Sequence, residues 1–370
     1  MGELFDYADD LGPAKVIHIH EPTHGLQAVV VVDNVATGPS IGGLRMAPDV
    51  STKECARLAR AMTLKNAAAS LPHGGGKSVL FGDPRMPKKQ KERLIRELAC
   101  ALRDVSEYIF GPDMGTDEEC MAWVHDEIGR SVGLPREIGG IPLDEIGATG
   151  WGISHVVDVA LPHCGLELDG ARIVIQGFGS VGKHTARFLT SKGAILVAAA
   201  DSRGTIHNSD GLDVDELIAL KGEGRSVIDY AHGRKLKQDA VIDVECDIWI
   251  PAARPDVIHE DNVNRLKACM VVEGANIPVT HGAEKMLYER GVLCIPDFIA
   301  NAGGVICAAM EYQNASQAAA FQTIEEKLRS NTAQVLRTSQ KRGIIPREAA
   351  VELATERVKK AMTLRRWSLF

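Results

Sequence analysis

Lys65, Lys77 and Asp113 are the residues of this chain whose types and surroundings best suit bond-making chemistry. Lys77 follows three glycines in "LPHGGGKSVLFGDP" (71–84) and precedes an apolar run that reads as a short buried strand. A lysine between mobile glycines and a buried strand loses water, and desolvation favours the neutral amine that can act as a base. A phosphate-binding loop of the form G-x-x-x-x-G-K-[ST] fits poorly, because its first glycine would fall on Leu71. Such a loop also follows a strand and opens a helix, whereas "ECARLARAMTLKNAAAS" (54–70) before the glycines has helical spacing. Lys65 lies on that mostly apolar helix, flanked by alanines, where its charge either meets a carboxylate or reaches out to the surface. Asp113 ends a strand in the Gly/Pro turn "FGPDMG" and by itself reads as a plain turn aspartate.

A second group of residues suits a dinucleotide. "ARIVIQGFGSVGKHTARFL" sets Gly177-x-Gly179-x-x-Gly182 between a strand and a helix, with Ser180 and Val181 at the turn into the helix. The first glycine makes the tight turn, the second admits a pyrophosphate against bare backbone, and the third lets helix and strand pack closely. The next strand ends at Asp201, 19 places after Gly182, where an acid accepts hydrogen bonds from the adenosine ribose. Asp201 favours NAD by repelling a 2′-phosphate. Ser202 and Arg203 beside it are suited to receive that phosphate, which leaves NADP open.

The elements that must hold these groups fall into two patterns. In the first part "KVIHIH" and "LQAVVVVDN" read as a strand pair, and "STKE" (51–54) as a capping box opening the Lys65 helix. Further helices are predicted over 88–105 and 116–129, with a "YIF" strand between them. Gly and Pro cluster over 133–152, the natural boundary. Beyond it, short apolar runs alternate with helices ("ARIVIQG", "AILVAAAD", "CDIWIPAA", "CMVVEGA", "VLCIPD"), the pattern of a parallel sheet covered on both faces. A helix is predicted over 321–343, stopped by Gly343, and a last one opens at Pro346 with Val351, Ala354 and Val358 as its apolar stripe. The expected class is α/β with two domains, divided as 1–140, 141–335 and a helical tail 336–370.

At 370 residues the chain can bury two cores, and 45% hydrophobic with 25% charged residues is ordinary for a soluble protein. A net charge of -7 argues against nucleic acid as a partner. No apolar run has membrane-spanning length and the acidic start "MGELFDYADDLG" is no signal peptide, which suggests a cytoplasmic protein. The 8 cysteines form no C-x-x-C pair and read as reduced and mostly buried. His18, His20 and His24 lack a matching carboxylate cluster, so no metal is expected.

Taken in order, "GPSIGGLRMAPDVS", "AMTLKNAAASLPHGGGKSVLFGDP", "FGPDMGT", "ATGWG", "QGFGSVG", "EGANIP" and "PDFIANAGGVI" resemble the glutamate, leucine, phenylalanine and valine dehydrogenase superfamily over nearly the whole chain. The resemblance implies an N-terminal substrate and oligomerisation domain, a Rossmann-type dinucleotide domain, and C-terminal helices returning to the first. It implies a cleft closing on both ligands and a homo-oligomer, hexamer or octamer. Lys65, helped by Gly42 in the "GG" turn, would hold the substrate α-carboxylate, Lys77 would activate the attacking water, and Asp113 would shuttle a proton. Thr149, Asn276 and Asn301 would place the nicotinamide and substrate. Ile41 stands where the glutamate enzymes carry a lysine for the side-chain carboxylate, and Ala308 where they carry a serine. With Val305 and Gly111 these would form an apolar wall. The expected activity is therefore NAD-dependent oxidation of a branched-chain or aromatic L-amino acid to its 2-oxo acid and ammonia. Glutamate dehydrogenase and a non-catalytic dinucleotide-binding regulator are the alternatives. His73 and Ser78 depart from the pattern: the histidine either faces solvent or touches the substrate rim, and the serine would stiffen the loop.

Overall fold

The computed structural model describes residues 7–365. Two compact units divide them. The first holds the chain up to Leu143, Val305–Ala320 and the residues from Val351, and the second holds Asp144–Gly304 and Phe321–Ala350. These limits differ from 1–140, 141–335 and 336–370 because the chain crosses between units inside helices, where composition does not change.

In the first unit, strands β1 (Lys15–Glu21), β2 (Leu26–Asn34), β3 (Ser40–Ala47), β4 (Gly74–Phe81) and β5 (Tyr108–Pro112) form one sheet in the order β1-β2-β4-β3-β5. β2 runs antiparallel to both β1 and β4, while β3 lies parallel to both β4 and β5. Helix Thr52–Ala68 packs on one face through Cys55, Ala56 and Ala59 against Val29, Val31 and Val79. Helices Lys88–Ala101 and Glu118–Ile128 cover the other face through Leu94, Ile95, Leu98, Met121 and Val124. Ser51 accepts the Glu54 amide and caps the first of these helices, but the capping box is only half made, because Glu54 turns to Arg45 at 2.5 Å. At its other end Arg357, from helix Pro346–Leu364, donates to the carbonyls of Ala67 and Ala68. Glu311 ties in the returning segment by accepting the amides of Leu134 and Ile141.

The three glycines are not mobile. They are residues of β4, Gly74 paired with β3, Gly76 with β2 and Gly75 with both, so Lys77 stands within a strand. Nor is "GG" (42–43) a turn; it lies in the middle of β3. A Cβ on Gly75 would sit 2.0 Å from the backbone nitrogen of Thr63, so only a glycine strand lets helix Thr52–Ala68 come this close. Ser78 points into the core, where it meets the Tyr108 hydroxyl at 3.0 Å, and stiffens no loop.

The second unit is built on a seven-stranded sheet. It comprises β6 (Arg172–Gln176), β7 (Ile195–Asp201), β8 (Gly204–His207), β9 (Arg234–Leu236), β10 (Ile248–Pro251), β11 (Met270–Val272) and β12 (Leu293–Ile295), in the order β12-β11-β10-β6-β7-β8-β9. Five strands are parallel; β8 and β9 add an antiparallel edge. That edge escapes a search for apolar runs because "GTIH" and "RKL" are short and polar. In the last helix Ala354 and Val358 are buried, but Val351 is exposed and leaves the stripe. All eight cysteines are free, five of them buried and Cys100 and Cys269 exposed. Among the described residues no helix is long and apolar enough to cross a membrane.

Candidate active site and cofactor cavity

Successive side chains of a strand point to opposite faces. In β4 this sends Ser78 and Leu80 into the larger core and Gly75, Lys77 and Val79 to the side of helix Thr52–Ala68. In-register pairing extends that second face across β3 and β5, adding Ile41, Gly43 and Arg45, then Ile109 and Gly111, with Asp113 directly after β5. Alternation thus brings together three glycines and three charges from sequence-distant strands. Lys77, 5% exposed, places its Nζ 2.9 Å from one carboxylate oxygen of Asp113. Arg45 Nε donates to the other oxygen at 2.7 Å. A Cβ on Gly43 would lie 2.8 Å from Asp113 Cβ and 3.1 Å from Lys77 Nζ, so this glycine leaves room for the pair. Burial pushes the Asp113 carboxyl up, but the charges of Lys77 and Arg45 outweigh it and hold the group below the usual carboxylate range.

Lys65, half-buried, comes from the helix clamped over this face, where Asn66 Nδ2 donates to the Gly74 carbonyl at 2.7 Å. Val305, Ala308 and Tyr312 share one side of helix Gly303–Tyr312 by their spacing. The Tyr312 ring meets His73 edge-on at 5.9 Å. His73 does not face solvent. It is 4% exposed, its Nδ1 lies 3.1 Å from the Pro39 carbonyl, and its Nε2 is buried without a hydrogen-bond partner. Burial pulls its pKa down, so the ring is neutral near pH 7.

In the second unit the turn after β6 is pinned by the amides of Gly177 and Phe178, both donating to the Ala200 carbonyl at 2.9 Å. Gly177 has φ +101°. A Cβ on Gly182 would fall 2.0 Å from the Gly177 carbonyl oxygen, whereas one on Gly179 would meet nothing within 4 Å. Helix Ser180–Thr190 therefore points its free amides, from Ser180 and Val181 onward, at an open approach. Beside it lies a cavity of about 390 Å³ lined by Gly177, Gly179, Asp201, Ser202, Lys221 and Arg254, among others. Bare backbone, helix amides and cations suit a dinucleotide diphosphate. Thr149 begins helix Ala148–Ala160 and backs onto Gly303. Asn301 donates to the Ala275 carbonyl and Asn276 Oδ1, and its own Oδ1 is buried without a partner, an acceptor suited to a carboxamide N–H. Gly182→Ala is expected to cost about 1–3 kcal/mol of stability through overpacking and to weaken dinucleotide binding. Denaturant titration and NADH fluorescence, measured on the same variant, test both.

Three residues of these sites carry no motif signal when read singly. Arg45 lies inside "GGLRMAP" and emerges once β3 is recognised as a strand, because it follows Gly43 by two. Lys221 and Arg254 reach the cavity from helix Val214–Gly222 and from the loop after β10, and no spacing announces either. Arg203, by contrast, lies 3.7 Å from Asp229 and is 60% exposed.

Comparison with known proteins places this geometry. Residues 139–366 match the Glutamate/Leucine/Phenylalanine/Valine dehydrogenase family and residues 13–130 its dimerisation domain. The chain is 37% identical over 358 residues to a glutamate dehydrogenase of Aeropyrum pernix, covering 90% of this chain and 85% of the relative. It is 34% identical over 355 residues to an NADP-specific glutamate dehydrogenase of Saccharolobus shibatae, covering 90% and 83%. The crystal structure of a hetero-hexameric glutamate dehydrogenase from Thermus thermophilus, in its leucine-bound form, superposes with a TM-score of 0.85 at 30% identity, over 97% of this chain and 91% of that one. These relatives overturn the apolar substrate inferred from Ile41 and Ala308. Both side chains are apolar and buried, yet two positions sample the wall too thinly: the helix side that carries Ala308 also carries Tyr312, which rests on His73. Leucine or phenylalanine dehydrogenase activity is not supported. The fold is the two-domain α/β architecture of amino-acid dehydrogenases, the cofactor is a nicotinamide dinucleotide, and matches run along both units: the chain belongs to the glutamate/leucine/phenylalanine/valine dehydrogenase family.

Proposed function

We propose that this protein catalyses the reversible oxidative deamination of L-glutamate to 2-oxoglutarate and ammonia. The observation that carries the proposal is its 34–37% identity, over about nine-tenths of the chain, to enzymes named glutamate dehydrogenase. The convergence of Lys77, Asp113 and Arg45 supports it.

In this reading Lys65 and the backbone at Gly42 hold the substrate α-carboxylate. Asp113, kept ionised by its two cations, accepts a proton from the substrate ammonium. When bound, the nicotinamide accepts the hydride from the substrate Cα. Lys77 then orients the water that attacks the iminium carbon and holds the oxygen of the resulting carbinolamine. The water loses one proton to solvent as it adds; Asp113 returns its proton to the amino nitrogen, the C–N bond breaks, and the hydroxyl proton passes to the departing ammonia as the 2-oxo carbonyl forms. Arg45 touches no substrate in this scheme; it fixes the second oxygen of Asp113 so that the first faces Lys77. A side-chain carboxylate in this pocket needs a partner, and Ile41 and Ala308 do not supply one. Gly177, Gly179 and the amides at Ser180 and Val181 cradle the pyrophosphate, and Thr149, Asn276 and Asn301 the nicotinamide end. We also infer a homo-oligomer, supported by the dimerisation-domain match.

The test is a panel of L-amino acids with NAD and with NADP, read as reduced-cofactor absorbance. Glutamate is expected to exceed leucine, valine and phenylalanine in kcat/KM by at least about tenfold. A faster apolar substrate would remove the substrate assignment, and no turnover of any amino acid would leave a non-catalytic dinucleotide binder.

A further inference from the structure

No step of the chemistry uses the Tyr108 hydroxyl, yet it is set into the middle of the sheet that carries Lys77. Tyr108 opens β5 and is fully buried. Its ring passes over Gly76, where a Cβ would lie 2.8 Å from the ring edge, so the last of the three glycines makes room for it. The hydroxyl ends 2.9 Å from the Gly42 carbonyl oxygen and 3.0 Å from Ser78 Oγ. A carbonyl can only accept, and a phenol has one proton to give. Tyr108 therefore donates to Gly42, and the Ser78 hydroxyl is left to donate to Tyr108. Burial pushes the phenol well above its ordinary value, so this donor keeps its proton near neutral pH.

The carbonyl it holds belongs to a peptide with little else to steady it. β3 and β4 pair at Ser40 and Ile41 and again from Leu44 to Ala47, but not at Gly42 and Gly43. β5 still pairs with both on the other side. Two successive glycines have more backbone freedom than any other pair, and here one flanking strand lets go of them. A Cβ on Gly42 would sit 2.0 Å from the Gly76 carbonyl oxygen, so no side chain can restrain this stretch instead. A peptide unit is planar, and a hydrogen bond to the Gly42 carbonyl therefore also fixes the tilt of the Gly43 amide at its other end. Gly43 faces the opposite side of the sheet, where a Cβ would lie 3.1 Å from Lys77 Nζ. The hydroxyl thus acts through the sheet, from its buried face to the face of Lys77 and Asp113.

We propose that Tyr108 is a positioning residue for substrate binding, holding the Gly42–Gly43 peptide in the orientation that receives the α-carboxylate of the amino acid. This deepens the dehydrogenase reading and rests on it for the carboxylate at Gly42, but not for the side chain of the substrate.

Tyr108→Phe removes one oxygen and leaves the ring over Gly76. Steady-state kinetics of the full-length protein at saturating dinucleotide should show KM for the amino acid raised by about tenfold or more and kcat within about threefold, the pattern of binding lost equally from ground and transition states. NADH affinity, read by fluorescence, should change by less than about twofold, since the dinucleotide cavity belongs to the other unit. Ser78→Ala is the control. It removes the other hydrogen bond of the same hydroxyl, so its urea midpoint should fall by a similar amount while its KM stays within about twofold. An unchanged KM in Tyr108→Phe, or an equal rise in both variants, would overturn the proposal. So would a Tyr108→Phe chain that cannot fold beside a Ser78→Ala chain that does, because the hydroxyl would then serve folding alone. If the unaltered chain prefers another L-amino acid, the glutamate assignment fails and this one stands, because every such substrate carries the α-carboxylate. A chain that turns over no amino acid would remove both.

Discussion

Lys77→Ala is expected to lower kcat by about 10³–10⁵-fold, because in the proposed mechanism one substitution removes both the group that orients the attacking water and the donor that holds the developing oxygen charge. The geometry makes the loss specific. Gly43, Gly75 and Gly111 beside Lys77 carry no side chains, and Arg45 is held by the other oxygen of Asp113 and by Glu54. Folding should survive, because Asp113 keeps Arg45 as a partner. Dinucleotide affinity should also survive, as the glycine turn and its cavity belong to the other unit. Steady-state kinetics alongside NADH fluorescence titration reads the two effects apart. A variant that turns over within about tenfold of the unaltered enzyme would remove Lys77 from the chemistry.

The largest stability effect is expected at Arg347. Its guanidinium meets Glu273 at 2.9 Å, Glu284 at 2.7 Å and Asp297 at 2.9 Å, and Glu273 and Glu284 are 0% and 3% exposed. Burial pushes the Glu273 carboxyl well above its ordinary value, against the pull of Arg347 and with the help of its two acidic neighbours. Arg347→Leu would leave three carboxylates facing one another without a cation, a loss of about 3–5 kcal/mol at neutral pH. The sign of the pH dependence follows from the raised carboxyl. A group that binds its proton more tightly when folded contributes fully below its unfolded pKa and loses that contribution as pH rises through the folded one. The variant should therefore regain stability as pH falls from about 8 to about 5, where the unpaired carboxyls take up protons. Urea midpoints across that range measure it. A loss below about 1 kcal/mol at neutral pH, or no recovery in acid, would show that the cluster is not held by Arg347. The same arginine supports the cofactor end, since Asp297 also accepts the amide of Ile277, next to Asn276.

Much of this was legible in the sequence where one signal served one element. The glycine turn, its strand and its helix were readable because a diphosphate cradle needs those residues in that order. Lys77 stood out for the bare backbone before it. What could not be read was whatever depends on pairing between distant strands. That the glycines are strand and not loop follows from the close approach of Thr63, which is a tertiary fact. Arg45 becomes part of the site only when β3 is laid beside β5. Asp201 illustrates the opposite failure: its position was read correctly, but its partners Lys221, Ser226 and Val227 come from later segments and change what the carboxylate can do. The substrate went wrong for a related reason. Ile41 and Ala308 were weighed as isolated letters, although two side chains do not define the wall of a pocket.

The division of the chain has a consequence for how the protein comes into being. The first unit is begun first and completed last: its sheet is finished by β5, yet Glu311 and Arg357, which tie down the Leu134–Ile141 segment and the end of the Lys65 helix, are encoded far downstream. At about 5–20 residues per second the ribosome needs roughly 10–40 s to travel from Leu143 to Val351. Until Val305–Ala320 and then the residues from Val351 emerge, the five-stranded sheet lacks the segments that complete its unit. The second unit must fold in the same interval, as an insertion between halves of an unfinished neighbour. A nascent chain stalled before Val351 should thus present the Lys65 helix with an uncapped end and remain a substrate for chaperones until the final helix emerges.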